Sequence, residues 1–88
     1  MNSKYALITG ASSGIGLEIS KSLAKRNFNL VLTSRSEETL KELSREISDN
    51  FSVKVDFISS DLSKKEAPKQ LYDFCKNKGY QIEILVNN

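Results

Sequence analysis

Two hydrophobic periods alternate along this chain. Tyr5-Ala6-Leu7-Ile8 is a short apolar run with a β-branched end, the pattern of a buried strand. Ile15, Ile19 and Leu23 then recur every four residues, which predicts one face of a helix from about Gly14 to Arg26. Asn27-Phe28-Asn29 reads as a turn and Leu30-Val31-Leu32-Thr33 as a second strand. Ser36 is placed to cap a helix whose apolar face is Leu40, Leu43 and Ile47, with Asp49-Asn50 ending it. The run from Val53 to Ile58 predicts a third strand, its valines and Phe57 on one face and Ile58 on the other. Ser63 and Glu66 have capping-box spacing ahead of a third helix, and Pro68 must lie near its start. Ala67, Leu71, Phe74, Cys75 and Lys78 form its stripe, Gly79 stops it, and Ile82-Glu83-Ile84-Leu85-Val86 is a fourth strand.

Strands alternating with helices through short loops imply an α/β fold with a parallel sheet. The stretch around which it is organised is Thr9-Gly10-Ala11-Ser12-Ser13-Gly14-Ile15-Gly16, lying between the first strand and the first helix. Gly10 lets the chain leave the strand in a conformation that a Cβ resists. Gly14 and Gly16 let a pyrophosphate approach the backbone and the helix approach the strand. N–H groups of the first helical turn point at such an anion, and the Ser12 and Ser13 hydroxyls add donors. An ordinary strand-to-helix turn is the plainer alternative. Three glycines at this spacing, flanked by strand and helix, favour the nucleotide reading.

The spacing Gly-x-x-x-Gly-x-Gly resembles the cofactor loop of the classical short-chain dehydrogenases and reductases, a Rossmann-fold group. The resemblance implies a Rossmann-like doubly wound parallel sheet, here partial, with four strands in the order 3-2-1-4 and helices on both faces. It implies that residues 1–88 are the N-terminal part of an NAD(P)-binding domain. The expected ligand position lies beyond the carboxyl ends of strands 1 and 4. The motif Ser60-Asp61-Leu62-Ser63 matches the family position where an Asp accepts a hydrogen bond from the adenine amino group and the next residue lines the adenine pocket. Those roles fall to Asp61 and Leu62. Asn87-Asn88 resembles the start of the family's Asn-Asn-Ala-Gly motif, which contacts the adenosine ribose and braces the sheet.

The end of the second strand selects the cofactor. NAD-binding folds of this type place an acid about 20 residues beyond the glycine loop, to bond the ribose 2′-hydroxyl. Here the region reads Thr33-Ser34-Arg35-Ser36, with no carboxylate before Glu37. Arg35 offers a fixed fork of donors to a 2′-phosphate, and Ser34 a hydroxyl beside it. A charge-assisted contact of about 1.5–3 kcal/mol favours NADP over NAD by roughly ten- to a hundredfold. A solvated surface arginine is the alternative.

Composition narrows the rest. The 88 residues are 39% hydrophobic and 27% charged, a globular balance for one domain at most. A net charge of +2 with interspersed signs gives no nucleic-acid footprint, and no apolar run has the length of a membrane span. One cysteine and no histidine leave little for a disulfide or metal site, and these features, with no signal-peptide pattern at the N-terminus, give the expectation of a cytoplasmic protein.

In the family, a serine, a tyrosine and a lysine four residues after the tyrosine do the chemistry, beyond the Asn-Asn-Ala-Gly motif. Tyr72 and Lys76 have the tyrosine–lysine spacing but precede strand 4, and Tyr5 and Tyr80 have no lysine at that spacing, so no catalytic residue is assigned. The expectation is the cofactor half of a reductase acting on a carbonyl or alcohol, the 88 residues binding nucleotide at most. A non-catalytic nucleotide-binding or self-associating module, or a truncated remnant, is the alternative. The apolar edge of strand 4, from Ile82 to Val86 with one charge at Glu83, is expected to pair with another chain.

Overall fold

The computed structural model describes residues 4–12 and 14–87. The elements are β1 (Lys4–Thr9), α1 (Gly14–Lys25), β2 (Asn29–Ser34), α2 (Glu37–Phe51), β3 (Val55–Ser59), α3 (Ala67–Lys78) and β4 (Gln81–Val86). The four strands form one parallel sheet in the order β3-β2-β1-β4. The predicted Rossmann-like order is therefore the observed one.

Two clusters hold the sheet. On one face Ala6, Ile8, Leu30 and Leu32 from the strands meet Leu23 and Ala24 of α1 and Leu40, Leu43 and Ile47 of α2. Ala6 and five larger side chains (Ile8, Leu30, Leu32, Leu40 and Ile47) have no solvent exposure, and each of the five contributes about 1.5–3 kcal/mol by leaving water. On the other face Tyr5, Val31 and Cys75 form a smaller cluster, with Leu7, Phe74, Tyr80 and Ile82 around it. Only α3 covers this side among the described residues.

The helix ends have local causes. Asn27 adopts a left-handed conformation (φ 72°) after α1, while the N–H of Phe28 bonds back to Leu23 O at 3.1 Å. Ser36 caps α2 as expected, its Oγ accepting from Thr39 N at 3.3 Å, with Glu37 and Glu38 favourably placed in the first turn. Asp49 and Asn50 do not end α2. They sit exposed on its outer face, and the helix runs on to Phe51, stopping at left-handed Ser52, whose N–H bonds Ser48 O at 3.2 Å. Pro68 lies in the first turn of α3, and Gly79 ends that helix at φ 75°.

Three further expectations are corrected. The apolar repeat of α1 is buried only in part: Leu23 is in the core and Ile19 packs against it, but Ile15 is 69% exposed, and Gly16, Ser20 and Ala24 are the other buried positions. Small residues let this helix lie close to the sheet. The third strand starts at Val55, and Val53 is buried in the preceding loop, where Lys54 N donates to Asn29 Oδ1 at 2.9 Å. The capping box of Ser63 and Glu66 does not form. Glu66 is the N-cap with no side-chain bond, and Ser63 Oγ donates instead to Asp61 Oδ1 at 2.7 Å.

Simple alternation also fails in β4. Tyr5 pairs with Ile82 but Ala6 pairs with Ile84, so Glu83 is an extra residue with no partner in register. The bulge resets the pleat. Ile82 joins the α3-side cluster, while Ile84 and Val86 join the α1/α2-side cluster.

Candidate functional site

The carboxyl ends of β1, β2 and β3 converge on a groove of about 500 Å³, lined by Gly10, Ser12, Ser34, Arg35, Ser36, Ser60, Asp61, Leu62 and Ser63. Six of the predicted site residues meet there: Gly10, Ser12, Ser34, Arg35, Asp61 and Leu62. They come from three separate loops.

The first loop leaves β1 at Gly10, in a left-handed conformation (φ 60°), and is tied to β2 by Ala11 N donating to Thr33 O at 3.1 Å. Gly14 opens α1 at φ 55°, and a Cβ built on it meets no protein atom within 4 Å. The space over this helix start is open to a ligand, and a side chain would fill it. α1 has no acidic residue in its first turn, whereas α2 carries Glu37 and Glu38 there. The first turn of α3 likewise has no acidic residue, and of the α1 and α3 starts only that of α1 follows the glycine loop beside the groove. Ile15 is exposed at the same start, and Gly16 is buried beneath it; neither lines the groove.

The second loop follows β2. Ser36 N donates to Ser34 Oγ at 3.3 Å, and Ser59 Oγ donates to Arg35 O at 3.2 Å. These bonds fix the backbone on either side of Arg35, whose side chain is left for the groove. The third loop follows β3 and is tied to the second by Ser60 N donating to Ser34 O at 2.8 Å. Asp61 Oδ1 accepts two bonds from Ser63, from the backbone N at 3.0 Å and from Oγ at 2.7 Å. These bonds, with the nearby charges of Arg35 and Lys64, hold the Asp61 carboxyl below the usual carboxylate range. It is an anion throughout the neutral pH range.

Ser60 Oγ is buried beside the groove without a hydrogen-bond partner. An orphaned hydroxyl, a glycine with open space above it and an uncompensated helix start all fit a polar, anionic ligand. Ser36, Ser60 and Ser63 line the groove but were not predicted as site residues. Two of them read as helix caps, and no sequence signal distinguishes a serine that faces a groove.

Asn87 lies apart from this group. It lines a second, apolar groove of about 470 Å³ with Leu7, Thr9, Leu71, Cys75 and Leu85, and Leu62 is shared between the two. Asn87 Oδ1 accepts from Thr9 Oγ1 at 3.1 Å, which ties the end of β4 to the end of β1. Tyr72 also borders the apolar groove; Lys76 Nζ sits 5.8 Å from the centre of its ring, over the π face and not at its hydroxyl. Ser13 and Asn88 lie outside the described residues. Among those described, no cluster of three or more His, Cys, Asp or Glu is placed to hold a metal ion, and no helix is long and apolar enough to cross a membrane.

Comparison with known proteins agrees with the fold. By sequence the chain is 43% identical over 86 residues to hydroxysteroid dehydrogenase-like protein 1 of Gallus gallus, covering 97% of this chain and 25% of that protein. L-sorbose reductase from Gluconobacter frateurii, solved with NADPH and L-sorbose, superposes with a TM-score of 0.92 at 35% identity, over 97% of this chain and 32% of that one. A short-chain dehydrogenase from Sphingobium yanoikuyae, solved with NADPH, superposes with a TM-score of 0.83 at 32% identity, over 93% of this chain and 32% of that one. The chain thus spans a quarter to a third of the length of these relatives. A family model described as short chain dehydrogenase matches residues 4–88. With strand order, glycine loop and family match in agreement, the chain belongs to the short-chain dehydrogenase family.

Proposed function

We propose that this chain is the NADP-binding part of a reductase that moves hydride between NADP(H) and a carbonyl or alcohol substrate. The pyrophosphate lies against Gly10, Ser12 and Gly14, with Ser13 from the same motif, and meets the N–H groups at the start of α1. Ile15 and Gly16 complete that helix start. Arg35 and Ser34 take the ribose 2′-phosphate, Asp61 accepts from the adenine amino group, and Leu62 lies against the base. Asn87, with Asn88, reaches the adenosine ribose. The proposal gives none of the described residues a role in the chemical step, so the 88 residues alone bind nucleotide without turnover. A cytoplasmic setting belongs to the same reading.

The observation that carries the proposal is the turn after β2. Arg35 lines the groove, and that lining contains no carboxylate from this turn, while the structures above with NADPH bound are similar to this chain. The test is calorimetric titration with NADPH and NADH. NADPH is expected to bind more tightly by roughly ten- to a hundredfold, and Arg35→Glu to abolish that preference. Equal binding of both nucleotides would refute the choice of NADP, and binding of neither would refute the nucleotide site in this chain.

The reading includes self-association. Among the described strands β4 pairs only with β1, and Leu85 beside its open edge is 64% exposed. An apolar edge of this kind favours a second copy of the chain as its neighbour.

A further inference from the structure

The third loop holds an arrangement that a nucleotide site does not need merely in order to be acidic. Both bonds from Ser63 fall on the same oxygen of Asp61, at 3.0 and 2.7 Å. One oxygen is tethered by two donors of one residue, and the carboxylate plane is set. Oδ2 takes neither bond, and Asp61 lines the groove. An aspartate on an exposed loop, without such a tether, turns about both of its side-chain torsions.

We propose that Ser63 is a positioning residue that makes this site select a 6-amino purine over a 6-oxo purine. The proposal rests on the adenine contact assigned to Asp61 above and says how that contact becomes selective. The 6-amino group of adenine is a donor, and an ionised carboxylate is acceptor-only. Hypoxanthine presents a carbonyl oxygen at the same position, which the carboxylate repels, but it carries a donor N–H at the neighbouring ring nitrogen. A carboxylate free to rotate turns to that N–H and accommodates either base. A carboxylate held by Ser63 keeps Oδ2 where only the amino group meets it. Arg35 and Lys64 lie close enough to favour the charged form of Asp61, so the acceptor is not lost by protonation near neutral pH.

Ser63 is exposed and lies outside every helix and strand, so replacing it leaves the core untouched. The experiment measures dissociation constants for NADPH and for its reduced hypoxanthine analogue, on the wild-type chain, Ser63→Ala and Ser63→Thr. Wild type is expected to prefer NADPH by about tenfold; Ser63→Ala, which loses the shorter Oγ bond and keeps only the backbone N–H bond, to narrow the ratio to about threefold; and Ser63→Thr, which keeps the hydroxyl, to restore it. A merely structural role would weaken both nucleotides together and leave the ratio unchanged; that result overturns the proposal while the adenine contact stands. Equal binding of the two nucleotides by wild type, or binding of neither, overturns the adenine contact and the proposal with it.

Discussion

The two faces of this sheet are built on different principles. The face under α1 and α2 is closed by apolar side chains, several with no exposure at all. The face under α3 is half covered and held by polar as well as apolar contacts. There Tyr5 and Tyr80 stack with ring centres 4.0 Å apart, and the Tyr80 hydroxyl donates to Asp56 on the far strand β3. Thr33 Oγ1 is buried without a partner, Leu85 is 64% exposed, and an apolar groove lies open. One face is closed by burial; the other ties β3 to the residue before β4 through Asp56 and Tyr80 and leaves apolar surface exposed.

The largest effect is expected from breaking the closed face. Leu40→Ala removes a fully buried side chain at the meeting of α2 with the sheet. The expected cost is about 2–5 kcal/mol, read from urea unfolding followed by circular dichroism. In a chain of 88 residues this is a large fraction of the total stability, so the variant is expected to be mostly unfolded at 37 °C. A loss below about 1 kcal/mol would mean that the face repacks and is not rigid.

How much of this was legible in sequence differs by face. Leu40, Leu43 and Ile47 announced the closed face because large apolar residues at helical spacing mark a stripe that must be buried. α1 was legible at Leu23 but misled at Ile15. Its buried positions include the small residues Gly16, Ser20 and Ala24, and Ser20 Oγ donates to the backbone of its own helix at Gly16 O (2.8 Å). A hydrophobic pattern does not register a stripe of small residues. The Glu83 bulge was hidden because it exists only in the register between β4 and β1.

At the groove, glycine spacing and Arg35 were legible because their chemistry is local. In the third loop Asp61 and Leu62 were legible as well, and both line the groove, but the partner of Ser63 was not. Ser63 had two carboxylates within three residues, and nothing in the letters says that Asp61 takes its hydroxyl and Glu66 does not. The link from Tyr80 to Asp56 joins residues 24 apart in sequence and has no local sign.

That link gives the middle prediction. Tyr80→Phe keeps the ring stack and removes one donor to a carboxylate that is partly solvated. The expected cost is about 1–1.5 kcal/mol. Burial and the Asp56 carboxylate raise the Tyr80 pKa above its ordinary value of 10.0, and burial raises Tyr5 and Cys75 in the same direction. A raised pKa means that the unfolded chain loses its proton first as pH rises. The contribution is therefore complete below pH 10 for the tyrosines, below 9 for Cys75, and is lost as pH climbs through the folded values. Unfolding midpoints at pH 8 and pH 11 should differ less in Tyr80→Phe than in wild type. An undiminished difference would show that the Tyr80 hydroxyl is not linked to Asp56 in solution.

The smallest effect on stability is expected where the open face meets solvent. Leu85 borders the free edge of β4 and is 64% exposed, so Leu85→Ser gives up little burial within the chain. A change within about 0.5 kcal/mol is expected. Its effect on association should be the opposite in weight. If a second copy pairs along β4, Leu85 becomes buried only in that pairing, and the polar side chain weakens it. Light scattering across a concentration series should show wild type growing in mass and Leu85→Ser remaining nearer the 9.9 kDa of one chain. Mass that grows equally in both would place the contact elsewhere on the open face, and a wild type that stays monomeric at all concentrations would remove self-association from the account. The same substitution on the closed face, Leu32→Ser, would unfold the chain before any mass could be read, which separates a surface that supports the fold from one that is free to bind.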